Sequence, residues 1–165
     1  MREETAMSAR PVPTTHDHDG DLVVFLIGMR INRPLRIGAW LPVLRAMPPM
    51  LQELARRPEL GMLHATSALG PGGPLVVQYW RDLASLQAYA HAEGGLHRAA
   101  WREFNARARR AGDAVGIWHE TLVVPAGHHE SVYVAAPGLG LAAAFGAVPV
   151  GRGRERAAQR LRVAS

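Results

Sequence analysis

A histidine and a glutamate stand side by side at His119-Glu120, inside the stretch Gly116-Ile117-Trp118-His119-Glu120-Thr121. An imidazole titrates near neutral pH and can take or give a proton, and a neighbouring carboxylate can also act as a base. Val115 to Pro125 is rich in β-branched and aromatic residues, and glycines at 112 and 127 bracket it, which predicts a strand. The period of two puts His119 and Thr121 on one face with Ile117, and Trp118, Glu120 and Leu122 on the other. Either face therefore carries an ionisable residue. The strand reads as the wall of a pocket or subunit contact, or as an edge strand with two solvated polar residues.

The other side chains able to bind a ligand or move a proton are scattered. Arg30 ends a strand whose same face is otherwise apolar, so it is either a buried anion partner or an arginine snorkelling at a strand end. His97, Trp101 and Asn105 lie at i, i+4 and i+8 and share one flank of a predicted helix. Trp80 and Arg81 close another strand, and Tyr133 lies on a later one. His64 and Gln78 complete the set that could face a cavity. His16-Asp17-His18-Asp19 could ligate a metal, but four adjacent residues without rigid support favour adventitious binding. No two histidines have the helical spacing of a zinc motif, and Gly-x-Ser-x-Gly is absent. No metal is expected at the site.

These residues sit on 165 residues, about one domain, with 48% hydrophobic and 20% charged residues as in ordinary globular chains. No apolar run reaches the roughly 18 residues of a membrane span, and no secretory pattern opens the chain. Absence of cysteine excludes disulfides and thiolate chemistry and makes the cytoplasm the expected compartment. The formal charge is +5, yet five arginines fall in residues 151–165, so much of the basicity is a terminal tail. That distribution argues against specific nucleic-acid binding.

The elements that must position the candidates follow in order. Residues 1–20 are polar, carry Pro11 and Pro13, and read as a disordered leader. Leu22 to Ile31 is a strand apolar on both faces. Trp40, Leu44, Met47, Leu51 and Leu54 form a helical stripe, with Pro42 suited to a first turn and a kink or restart expected at Pro48-Pro49. Met62–Leu69 and Leu75–Arg81 are two strands, joined by a turn dense in glycine and proline that favours an antiparallel hairpin. Asp82 is placed to cap a helix from Leu83 to about His91, and a second helix is expected from Leu96 to Ala111. After the His119 strand, Glu130–Ala135 reads as a fifth strand. Pro137–Gly146 is small and apolar, and Gly151 onward is a charged helix at most. The domain is thus expected over residues 21–150, with a basic tail at 151–165.

Strand, helix, strand, strand, helix, strand is the split βαβ order of the α+β ferredoxin-like fold, an antiparallel sheet with helices on one face. The other face needs cover, and two sheets closing on each other would give a dimeric α/β barrel. Phe25, Trp80, Trp118 and Tyr133 would supply the apolar bulk of that closure, and a homodimer is expected.

Gly28-Met29-Arg30-Ile31-Asn32, Arg45-Ala46-Met47-Pro48, Val77-Gln78-Tyr79-Trp80-Arg81, then His97, Trp101, Phe104 and Asn105, and the Gly116–Thr121 stretch resemble an uncharacterised bacterial monooxygenase-like family of the dimeric α/β-barrel superfamily. The resemblance covers roughly residues 20–150. It implies the fold and leaves the chemistry among several kinds: cofactor-independent quinone-forming monooxygenases, haem proteins such as dye-decolourising peroxidases and aldoxime dehydratases, cyclases, and proteins that only bind. Three readings follow. A pocket binds a planar phenolic or polyketide-like molecule, with His119, Glu120 or His97 moving the proton. In that reading Trp80 and Trp118 flank the ring, Arg30 or Arg81 holds the enolate oxygen, and no cofactor is needed. Alternatively a haem sits on His97 or His119, or the domain only binds a ligand or partner. The expected partners are a small hydrophobic or aromatic ligand and a second copy, with no membrane.

Overall fold

A computed structural model describes residues 10–91, 102, 106, 109–110 and 112–161. Its centre is a four-stranded antiparallel sheet of β2 (Leu22–Ile31), β3 (Met62–Gly70), β4 (Gly73–Trp80) and β5 (Val115–Val124), in the order β3-β4-β2-β5. That order, with the first strand between the third and fourth, is the antiparallel ferredoxin-like α+β arrangement. β2 and β5 run where the apolar patterning places them. The hairpin is tighter than the loop expected from composition: Gly70 pairs with Gly73, leaving Pro71-Gly72 as a two-residue turn. Gly73 has φ +139°, and a Cβ there would strike the Met29 carbonyl oxygen, so only glycine lets the hairpin press onto β2. The Ile31 N–H donates to the Gly72 carbonyl at 3.0 Å and secures that approach.

The stripe expected over Trp40–Leu54 becomes two helices, α1 (Ile37–Leu44) and α2 (Met47–Arg56), with Arg45-Ala46 between them. Pro48 and Pro49 fall in the first turn of α2, where a missing N–H costs nothing, and so the helix restarts there. Pro42 instead lies inside α1. In α3 (Leu83–His91) the Ser85 N–H donates to Asp82 Oδ1 at 2.6 Å, the expected cap. That bond, the Ser85 side chain and the Arg81 guanidinium hold the Asp82 carboxyl below its ordinary pKa.

Alternation along the strands gives each sheet face its role. Val23, Trp80 and Met62 pack with Leu54 of α2 and with Leu86 and Tyr89 of α3, while Met29 and Val115 pack with Val43 of α1. Full burial of a leucine-sized side chain contributes roughly 2–3 kcal/mol, which makes these helix-facing positions the main anchor of the fold. Burial, the Glu53 charge and its hydrogen bond all push the Tyr89 phenol up.

The opposite face is partly covered by chain that composition placed elsewhere. Thr14–His16, inside the expected leader, forms β1 and pairs with β6 (Ala147–Pro149), and Thr15 and His16 are buried. Glu130–Ala135 is not a strand. Its Tyr133 makes a single bridge to Thr14, with the two residues exchanging N–H···O bonds of 2.9 and 2.8 Å. α4 (Gly140–Phe145) packs on β3 and β1. α5 (Ala157–Arg160) lies in the expected basic tail, yet Arg160 is buried. Its guanidinium reaches Glu130 Oε2 at 2.8 and 2.9 Å and also donates to the Arg154 and Glu155 carbonyls. Residues 13–20 and 129–160 thus form a strap over the sheet. Neither the leader nor the tail could be recognised as part of it, because each supplies only half of every contact. The expected helix over 96–111 lies outside the described residues, apart from a few positions.

Candidate active site

His119 is delivered to the helix side of the sheet. It pairs with Ile27 in the β2–β5 register, and its ring lies 5.6 Å from that of Phe25. Together with Gln78, Trp80, Thr121, Met47 and Tyr89 it lines a cavity of about 630 Å³ between the sheet and helices α2 and α3. The edge position of β5 leaves His119 exposed at the cavity mouth, whereas Trp80 is fully buried at its wall. The Trp80 indole N–H donates to Gln78 Oε1 at 2.9 Å, which commits that amide oxygen and leaves the Gln78 amide nitrogen as the donor. His119 makes no hydrogen bond among the described residues, so both ring nitrogens are open to a ligand. A second cavity, of about 390 Å³, continues under the α1–α2 junction and shares Ile27, Met47 and Leu51 with the first. Met29, Val43, Leu44, Val76 and Ile117 make it almost wholly apolar. Sizes of this order suit small organic ligands.

The remaining expected site residues separate. Glu120 and Trp118 alternate onto the open face, away from His119, and Glu120 is solvent-exposed. The Trp118 indole lies over Gly28, where a Cβ would overlap it, and is 38% exposed. Arg30 is neither a buried anion partner nor a cavity residue: it is exposed, and its Nε donates to Asn32 Oδ1 at 3.0 Å. Arg81 turns to α3, donating to Asp82 and Ser85. Tyr133 belongs to the strap, where its hydroxyl accepts the Ala142 N–H at 3.3 Å. His64 bonds Thr66 on the open face. His97, Trp101 and Asn105 lie outside the described residues.

Phe25 and Trp80 therefore do not join Trp118 in a barrel closure, since they face the helices. The pocket expected between sheet and partner has its counterpart between sheet and helices. Sequence reasoning passed over Thr121, Met50, Gln87 and His91 as lining residues. Thr121 alone carried a signal, its shared parity with His119. The His16–Asp19 run is not a metal cluster: among the described residues no group of three or more ligating side chains could hold a metal ion. Nor is any described helix long and apolar enough to cross a membrane.

Known proteins agree with this architecture. The family model described as monooxygenase af470-like matches residues 22–141. A monooxygenase af470 from Aspergillus fumigatus is 33% identical over 125 residues, 70% of this chain and 43% of that protein. The chain thus spans less than half the length of this curated relative. That relative is fungal, whereas the motifs pointed to a bacterial family. Among solved structures, an aldoxime dehydratase in complex with butyraldoxime superposes with a TM-score of 0.65 at 15% identity, over 84% of this chain and 42% of that one, a likeness of fold alone. A cofactor-independent oxygenase from Streptomyces nogalater is a looser match, with a TM-score of 0.43 at 15% identity over 62% of this chain and 91% of its own. On the family match and the sequence identity, the chain belongs to the monooxygenase af470-like family.

Proposed function

We propose that the sheet–helix cavity binds an apolar, ring-containing molecule with an acidic C–H or O–H, and that His119 removes its proton to start a cofactor-independent oxygenation. One observation carries this: His119 is an imidazole at the mouth of an apolar cavity whose nitrogens no described residue occupies. A structural histidine would spend at least one nitrogen on a partner. The apolar wall favours a ligand carbanion that is delocalised over rings, and Thr121 and Gln78 are the polar groups nearest in register to receive its oxygen. The electron-rich ring carbon then combines with dioxygen to give a hydroperoxide. Loss of water leaves a carbonyl, so one oxygen atom enters the product and the other leaves as water. The relative's name, a monooxygenase, supports this class of reaction.

The protein is also proposed to act as a homodimer through the open face, where Leu122 and Trp118 remain exposed beside the strap. Cover for that face would leave the helix-side cavity free.

The test uses anthrone, a tricyclic ketone with an acidic methylene. Its binding is read by quenching of Trp80 in a variant whose other tryptophans are phenylalanine, and its turnover by oxygen uptake. Binding with oxygen uptake in the wild type, and binding without uptake in His119→Ala, supports the reading. Uptake unchanged by His119→Ala removes His119 from the chemistry. Saturable binding with no uptake by either protein leaves the cavity as a binding site only.

A further inference from the structure

The strap contains a second group of histidines that the cavity does not use, and its hydrogens can be assigned. His129 Nε2 lies 2.8 Å from the Gly20 carbonyl, which only accepts, so that nitrogen carries the hydrogen. A neutral His129 then presents Nδ1 as an acceptor, 2.8 Å from His16 Nε2, which must donate. His16 Nδ1 is left as an acceptor 2.7 Å from the Ser131 hydroxyl, which donates to it. Ser131 Oγ in turn accepts the His16 backbone N–H at 3.2 Å. Every hydrogen bond runs in one direction, from Ser131 through His16 and His129 to Gly20. The chain of bonds ties β1 to residues 129–131, which lie more than a hundred positions later.

We propose that this relay is a pH-sensitive latch, which holds the strap on the open sheet face while both imidazoles are neutral and releases it when they take up protons. A proton added at His129 Nδ1 meets the His16 Nε2 hydrogen. To admit it His16 must move its own hydrogen to Nδ1 and donate to Ser131, whose hydroxyl must then turn away. A second proton has no arrangement at all, because two N–H groups would face each other.

The surroundings also oppose charge. His16 is 5% exposed. Burial, followed by the His129, His18 and Arg154 charges, lowers its pKa, and Asp19 acts weakly in the other direction. His18 stacks on Phe145 of α4, with ring centroids 3.9 Å apart, and lies 5.7 Å from His129. The remaining charged neighbours are committed: Asp19 lies 3.9 Å from Arg154, Asp21 accepts the Ala126 N–H, and Glu130 is paired with Arg160. Among these groups Asp19 alone favours a charge on His16, and it is outweighed by burial and by the neighbouring cations.

The sign follows. A histidine with a depressed folded pKa stays neutral in the fold while the open chain binds a proton below its ordinary value of about 6.5. Latch stability is complete above that pH and falls as pH falls below it. Release would bare Tyr79, now half-buried against Gly140 of the strap.

Amide hydrogen exchange of the wild-type chain, expressed as protection factors from about pH 7.5 to about pH 5, tests this. Thr14, Tyr133 and Val150 donate the strap bonds and should lose about tenfold or more in protection, while β2 amides change less than about twofold. His16→Gln keeps an acceptor and a donor but cannot titrate, and should flatten the strap response. If that variant does not fold, imidazole ¹⁵N shifts of the wild type decide: both His16 and His129 should be Nε2–H at neutral pH. Strap protection unchanged down to about pH 5, parallel loss in strap and sheet, or an Nδ1–H tautomer at His16 would each overturn the latch.

Discussion

His119 and His16 are opposite solutions for the same side chain. His16 is buried, with both ring nitrogens and its backbone N–H committed, and every bond has a direction set by a carbonyl two residues away through space. His119 stands exposed at a cavity mouth with neither nitrogen engaged by a described residue. The first has no capacity left for a ligand, and the second contributes little to the fold. Satisfaction of hydrogen bonds, more than residue type, separates a histidine that holds structure from one available for chemistry.

The contrast can be broken by substitution. The largest effect is expected from His119→Ala, which removes a general base worth roughly 10²–10⁴ in rate. Oxygen uptake should fall by that factor while the melting temperature stays within about 2 °C. A large loss of stability would place His119 with His16 as a structural residue. Next is Arg160→Ala, which strands Glu130 next to carbonyls that had faced a cation. Removing one partner of a buried pair costs 3–5 kcal/mol, and partial rehydration of Glu130 reduces this to about 2–3 kcal/mol. Urea unfolding should show that loss, with anthrone binding unchanged, since the strap and the cavity lie on opposite faces.

Gly28→Ala should cost about 2 kcal/mol, because the new methyl must displace the Trp118 indole. The companion Trp118→Ala should remove most of that penalty, as a double-mutant cycle in denaturant would show. A penalty that survives would mean the strand backbone itself is tight there. The smallest effect is Ser131→Ala, which takes from His16 both the hydroxyl that donates to Nδ1 and the acceptor of its backbone N–H, and should cost about 1–2 kcal/mol. Its melting temperature should also depend less on pH between 5 and 7 than the wild type does, while His119 chemistry is untouched.

Much of the sheet was legible because its information is local. Eight apolar residues among the ten from Leu22 to Ile31, a glycine-rich turn and Asp82 before an apolar helical repeat each specify their element with no distant partner. The parity of Ile117, His119 and Thr121 was legible too, since strands alternate strictly. Which parity met the helices was not, because that is decided by Val23 and Met29 on the neighbouring strand. Arg30, Arg81 and Tyr133 were chosen for their chemistry, and each proved committed to a short-range bond that spacing does not reveal. The strap was the least legible part. Thr14–His16 has too few apolar residues to announce a strand, and its partners Ala147–Pro149 and Ser131 are nearly a chain length away.

That distance has a consequence for the order of assembly. His16 and Ser131 are separated by 115 residues, so β1 emerges from the ribosome long before anything exists for it to pair with. The central sheet needs nothing beyond Val124 and can close during synthesis, which proceeds at roughly 5–20 residues per second. The first strand must then wait several seconds as an unpaired polar segment. Few apolar side chains in that segment make the wait harmless, because an exposed apolar strand edge would recruit other nascent chains. The composition that hid β1 from sequence analysis is the composition that lets it arrive last.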